Sequence, residues 1–231
     1  MTPIRNRLLA QLPRGVQERL AQHVRPVALR VGDVLFRARA PAAPAYFPES
    51  GLVSLLTSVR TGETMDVGLV GSDSVVGALA ATGTADMPFE GAVRVQGVAL
   101  KIEADVLRAQ TASEPHLAGL LARHAQFTVA QCVTSAACIA FHPASRRCAR
   151  CLLVASDLLS STELPLTHDQ LAHMMGVRRE SVTVALGSLD ARGLVAHGRA
   201  HIVIRNRSGL EAATCECYGL MRDERRRLIG A

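Results

Sequence analysis

Between residues 178 and 184 the chain reads Arg-Arg-Glu-Ser-Val-Thr-Val, a run whose side chains could read nucleic-acid bases. An Arg fork satisfies O6 and N7 of a guanine together, a Glu accepts from N4 of a cytosine, and an apolar group meets a thymine methyl. Arg179 and Glu180 are therefore the leading base readers, and Val184 is the candidate for a methyl contact. Ser181 and Thr183 suit phosphate or sugar, or are plain helix surface; Arg178 stands with Arg179 at the N-terminal end, and Arg199 in the later turn His197-Gly198-Arg199 suits phosphate. Duller readings stand beside these. Arg179 could touch phosphate alone, Glu180 could simply favour a helix N-terminus by its charge, and Arg199 could be a solvated turn.

Such a set works only if a helix presents it. From Arg179 to Ala191 the residues Val182, Ala185, Leu186 and Leu189 fall at i, i+3, i+4 and i+7, one apolar stripe for a core. Glu180, Thr183, Val184 and Gly187 then point the other way. A shorter helix precedes it. Thr167 opens that helix as N-cap, first of all a cap and only second a phosphate neighbour, and Gln170 completes a capping box. Leu171, Ala172, Met174 and Met175 mark its buried side, and Gly176-Val177 makes the turn. Gly193 to Val195 leads into one strand, and His201 to Ile204 returns as a second. Helix, tight turn, helix and hairpin form the pattern of a winged helix-turn-helix, whose second helix enters the major groove by its first turn. The rival is a helical hairpin in an ordinary core, or a helix-turn-helix that contacts protein rather than DNA.

The rest of the chain has a different grammar. Residues 5–23 read as one short amphipathic helix. From Val24 to Glu103 short apolar runs (VALRV, DVLF, AYF, GLVSLL, MDVGLV, GAVRV and VALKI) alternate with turns such as Gly32-Asp33 and Ser50-Gly51, as in a β-sandwich or barrel. Ala104 to Thr111 reads as a short helix. A long one, capped by Ser113, then runs from Glu114 to Phe141, roughly 42 Å at the usual rise. It has two apolar rows, Leu117, Leu120, His124, Phe127, Gln131, Thr134, Cys138 and Phe141 in one, Leu121, Ala125, Thr128, Cys132, Ser135 and Ile139 in the other. One row is expected to pack on the β unit and the other on a partner. Pro143 ends this helix, and Ala144 to Leu159 forms the next. The expected architecture is α+β: a β-roll over 1–112, a long dimerisation helix over 113–142, and a winged helix-turn-helix over 143–231.

Composition sets outer bounds. The chain has 231 residues, is 48% hydrophobic and 20% charged, and carries a net charge of +6, figures typical of a globular protein. Lys101 is the only lysine; Arg suits phosphate and guanine, but a codon bias gives the same composition, so charge alone carries little weight. No run of eighteen apolar residues and no secretory signal is visible, so the expected location is cytoplasmic, away from membranes.

A β-roll, a long helix and a winged helix-turn-helix in that order resemble the Crp/Fnr superfamily of bacterial transcription regulators. The family's G-D-x-L-F pattern stands here as Gly32-Asp33-Val34-Leu35-Phe36, and its aromatic-to-glycine strand end as Tyr46-Phe47-Pro48-Glu49-Ser50-Gly51. Its more specific R-E-[ST]-V recognition pattern stands as Arg179-Glu180-Ser181-Val182. The resemblance implies a homodimer that binds two-fold symmetric duplex DNA, with the roll as sensor of an effector and RNA polymerase as an admissible partner. Many members carry a further Arg where Thr183-Val184 stand. Cyclic-nucleotide members carry Gly-Glu and Arg-Ser pairs. Here Gly77 is followed by Ala78, and Glu90-Gly91 stands where the phosphate partner belongs, so a cyclic nucleotide is not expected. Oxygen-sensing members carry N-terminal Cys for iron–sulfur, and no Cys precedes Cys132.

The six cysteines invite one more question. Cys148-x-x-Cys151 and Cys215-x-Cys217 could meet as a thiolate metal site, but the spacing is irregular and no His follows either pair at ligand distance, so buried thiols and no metal are expected. His124 and His142, which flank the long helix, are read as packing rather than haem or metal ligands. No Walker loop, dinucleotide G-x-G-x-x-G, HExxH or nucleophile elbow is present, and no enzymatic activity is expected.

Overall fold

The protein is described here from a computed structural model covering residues 4–40, 44–79 and 87–230. The amphipathic stretch near the start is two pieces rather than one helix, a 3-10 turn at Leu9–Gln11 and α1 at Arg14–Leu20. Pro13 divides them. It lacks the N–H to continue a helix and holds the preceding Leu12 in extended backbone, at φ −70° and ψ 149°.

The seven apolar runs all become strands: β1 (Arg25–Leu29), β2 (Val34–Phe36), β3 (Ala45–Pro48), β4 (Leu52–Ser58), β5 (Thr64–Val70), β6 (Glu90–Val95) and β7 (Gly97–Ile102). They form two antiparallel sheets, ordered β1-β7-β3 and β2-β6-β4-β5. Leu29 and Ala99 from the first sheet meet Phe36, Val53, Val70 and Val93 from the second in one buried cluster, the core of the roll. Gly51, at φ 85°, closes the strand end singled out in the sequence. A Cβ there would lie 2.7 Å from the Val95 carbonyl oxygen, so only glycine fits.

α2 (Ala104–Ser113) runs two residues further than expected and takes Ser113 with it. The Ser113 hydroxyl therefore bonds back to Ala109 and Gln110 carbonyls instead of capping the long helix. Glu114 is the cap of α3 (Pro115–Phe141): its carboxylate accepts from the His116 N–H at 3.2 Å, and Pro115 forbids a helical Glu114.

α3 has 27 residues, and its buried side chains are Leu117, Leu120, Leu121, His124, Phe127, Gln131, Ser135 and Cys138. The two rows read from the sequence do not separate as expected. Leu121 and Ser135 from the second row turn inward, whereas Phe141 from the first is 80% exposed. The cause is that α3 is covered on two sides, by the roll and by α8 (Cys217–Ile229), whose Met221, Leu228 and Ile229 share a core with Leu117, Leu120 and Phe127. The row left in solvent is a third one, Ala122, Val129, Val133, Ala136 and Ala140.

Beyond Pro143 come α4 (Ala144–Leu159), β8 (Glu163–Leu164), α5 (His168–Met175), α6 (Arg179–Ala191), β9 (Val195–His197), β10 (Ile202–Ile204) and α7 (Arg207–Ala213), which leads to α8. Leu152, Leu171, Met175, Val182, Leu186, Leu189 and Ile202 form their core, and Leu52, Leu69 and Val95 of the roll join it. Among the described residues no helix is long and apolar enough to cross a membrane.

Candidate nucleic-acid interface

The two helices of the motif are set by local chemistry. Gln170 N–H donates to Thr167 Oγ1 at 3.1 Å while Thr167 N–H donates to Gln170 Oε1 at 2.8 Å, so both halves of the capping box are made. α5 ends at Gly176, whose φ of 59° turns the chain sharply into Val177 and Arg178. α6 then buries the expected stripe: Val182, Ala185, Leu186 and Leu189 are each at most 3% exposed. That burial fixes the rotation of the helix and leaves the opposite face free.

The candidate readers occupy that face. Arg178 is the N-cap residue of α6, Arg179 its first residue, and Arg178, Arg179, Glu180, Ser181, Thr183 and Val184 are all exposed, Val184 by 73%. An apolar side chain at that exposure has no core to join, which leaves it free for a base methyl. Glu180, Ser181 and Val184 border an open groove together with Ser145 from the start of α4. Arg199 is exposed in the hairpin between β9 and β10, where Gly198 N–H donates to the His201 carbonyl at 2.8 Å. Thr167 alone is half-buried, its oxygen already engaged as cap.

Three neighbours were not singled out in the sequence. Asp169 places its carboxylate 3.4 Å from the Arg179 guanidinium. His168 Nδ1 lies 3.2 Å from Thr183 Oγ1, and the His168 ring stacks at a tilt on His197 of the wing, 5.4 Å between centroids. Burial chiefly, then His197 and Arg179, lower the His168 pKa, so it bridges the two helices and the wing as a neutral ring. β8 is the third strand of the wing sheet, ordered β8-β10-β9, and with two residues it was too short to show as a pattern.

The cysteine pairs are sorted differently from their spacing. Cys148 and Cys151 are buried in the core beneath the helix-turn-helix, whereas Cys215 and Cys217 cluster with Cys138 of α3. His124 is buried on α3, where Nε2 accepts from the Val75 N–H at 3.2 Å. It also borders an apolar cavity of about 510 Å³ between β4, β5, the segment around Gly77–Leu79, and α3. Leu55, Val67, Val75 and Phe89 line that cavity, and among the described residues no Arg or Lys does.

Residues 146–213 match the family model of the Crp-like helix-turn-helix domain. A comparison with curated proteins finds no match. Among solved structures the chain is similar to FixK2 from Bradyrhizobium japonicum, with a TM-score of 0.73 at 17% identity over 83% of this chain and 98% of that one. It is similar to the c-di-GMP-responsive global regulator CLP of Xanthomonas campestris, TM-score 0.69 at 20% identity, covering 83% and 99%. A Crp/Fnr-family transcriptional regulator from Thermus thermophilus gives 0.67 at 24% identity, covering 82% and 97%. At these identities the likeness is one of fold.

Proposed function

We propose that the chain is a sequence-specific DNA-binding transcription regulator of the Crp/Fnr type, a reading supported by its Crp-like helix-turn-helix domain and by its likeness in fold to solved regulators. The observation that carries this is the face of α6. Its apolar stripe is fully used by the core, while an Arg, a Glu and a Val at its first two turns stand in solvent, the Arg held only by an exposed ion pair with Asp169. In a major groove that face supplies a guanine fork, a cytosine acceptor and a methyl contact, with Arg178, Ser181, Thr183 and Arg199 on the backbone.

The regulator acts as a homodimer through α3. The exposed row Ala122, Val129, Val133, Ala136 and Ala140 supports this, because it repeats at helical spacing and Val129 and Val133 are each 63% exposed. Small residues at that spacing let a second copy of the helix approach closely. Two helix-turn-helix units related by that axis bind half-sites about one helical turn apart.

The roll is the sensor, and its ligand is not a cyclic nucleotide. Ala78 is buried where the ribose partner would stand, Glu90 pairs with Arg37 at 3.5 Å, and among the described residues the apolar cavity beside α3 has no Arg or Lys for a phosphate.

Binding to labelled duplexes, first a random pool and then fragments enriched from it, tests the function. The expected result is enrichment of a two-fold symmetric site, with affinity falling steeply as salt rises. A helix-turn-helix used only for protein contacts would give neither.

A further inference from the structure

We propose that Cys138, His142, Cys215 and Cys217 form a tetrahedral site for one divalent cation of the zinc class, which staples the end of α3 to the start of α8. The four donor atoms lie within 4.8 Å of one another. Cys138 Sγ is 3.6 Å from Cys215 Sγ, and Cys217 Sγ is 3.6 Å from His142 Nδ1. A zinc ion bound at the usual Zn–S and Zn–N lengths sets its donors about 3.5–3.8 Å apart, so the two 3.6 Å pairs already stand at that spacing and the widest separation would close by no more than about 1 Å.

The fold explains why the sequence hid the set. Cys138 lies in the last turn of α3, and His142 is the C-cap residue four positions on, whose N–H donates to the Cys138 carbonyl at 3.1 Å. Cys215 and Cys217 bracket one residue at the junction of α7 and α8, more than seventy positions later. Only the packing of α8 along α3 brings the two pairs together.

Two further features are those of a metal site rather than of packed thiols. His142 Nε2 lies 3.2 Å from Glu216 Oε1, an arrangement in which a carboxylate orients the imidazole and leaves Nδ1 to face the sulfurs. Glu216 sits between the two cysteine ligands, so one short segment supplies both the ligands and the residue that orients the histidine. The second feature is charge. Arg150 is buried near Cys138, Cys215 and Cys217, and among the described residues it takes part in no ion pair. A divalent ion with three thiolates and a neutral imidazole carries one net negative charge, which Arg150 matches.

Three thiolates and one imidazole with no open position make a structural centre, not a catalytic one. It lies where α3 gives way, at Pro143, to α4 and the helix-turn-helix, and loading it fixes the angle between them.

The test is elemental analysis of the full-length protein purified under reducing conditions without chelator. About one zinc per chain is expected. Cys215→Ser should lose it, Cys132→Ser should keep it, and Glu216→Gln should bind roughly 10–100-fold more weakly. Because Cys215→Ser could misfold, cobalt(II) chloride is also titrated into reduced, metal-stripped wild type. Thiolate-to-cobalt charge transfer with tetrahedral ligand-field bands is expected. Wild type that stays metal-free after reduction and incubation with zinc sulfate would overturn the proposal. So would a weak octahedral cobalt spectrum, iron with acid-labile sulfide, or full zinc content in a folded Cys215→Ser variant. None of these readouts depends on DNA binding.

Discussion

The Arg179 guanidinium lies 3.4 Å from the Asp169 carboxylate, tying the first turn of α6 to the first turn of α5 across the helix-turn-helix. Both side chains are more than 60% exposed, at 63% and 62%. An ion pair in that much water is worth at most about 1 kcal/mol, less than the 1–3 kcal/mol of a forked Arg–guanine contact. Asp169 therefore holds Arg179 in place without preventing the exchange, and its charge repels a nearby phosphate. Asp169→Asn should tighten binding to random duplex by roughly 2–5-fold while reducing discrimination for the selected site. Anisotropy titrations on both duplexes at one salt concentration check this, and unchanged affinity for random DNA would remove the repulsive role.

The exposed row on α3 yields a second expectation. Val129→Glu with Val133→Glu places two charges on the face proposed for dimerisation while touching none of the buried positions. Sedimentation should show a monomer with melting close to wild type. Binding to a full two-fold site should weaken by roughly 10²–10⁴, the gain that linking two half-site contacts provides. A double variant that stays dimeric would move the interface elsewhere. Leu117 and Leu121 are unsuitable for this purpose, since both lie in the chain's own core.

His124 gives a pH dependence whose sign is fixed. Burial chiefly, against an opposing effect of Asp73 and with a smaller push from Arg225, lowers its pKa from 6.5 to about 4. The folded state keeps the ring neutral while the unfolded chain takes up a proton near 6.5. Stability is unaffected above that value, falls as pH drops from 6.5 toward 4, and levels off below. The full loss is at most about 3 kcal/mol from the pKa difference. Urea midpoints at about pH 7 and about pH 4.5 should therefore separate more for wild type than for His124→Gln, which keeps an acceptor for the Val75 N–H. Equal separations in the two proteins would contradict this.

What was legible in the sequence was what neighbouring residues decide together. The capping box at Thr167 and Gln170, the stripe from Val182 to Leu189 and the seven strand runs are each written as a pattern within one element, and each appears in the structure. Ser113 was misread because a helix can run up to a proline as readily as begin at one, and α2 does so. The faces of α3 were blurred because two partners cover it, the roll and α8, so inward positions fill more than one stripe. The pairing of Cys138 and His142 with Cys215 and Cys217 depends on where α8 lies, which no local spacing encodes. Asp169 and His168 were passed over for a related reason: their partners, Arg179, Thr183 and His197, lie on other elements.

The most direct measurement is selection from a random duplex pool by wild type, Arg179→Ala and Arg199→Ala in parallel. Wild type should enrich a two-fold symmetric site. Arg179→Ala should relax one position in each half-site, a loss of about 1–3 kcal/mol of discrimination there, because a base-edge contact is gone. Arg199→Ala should weaken selected and random duplexes alike, because a phosphate contact carries no sequence information. Equal loss on both duplexes for Arg179→Ala would reduce that residue to a backbone contact, and a wild type that enriches no sequence at low salt with cell extract added would contradict the regulator itself.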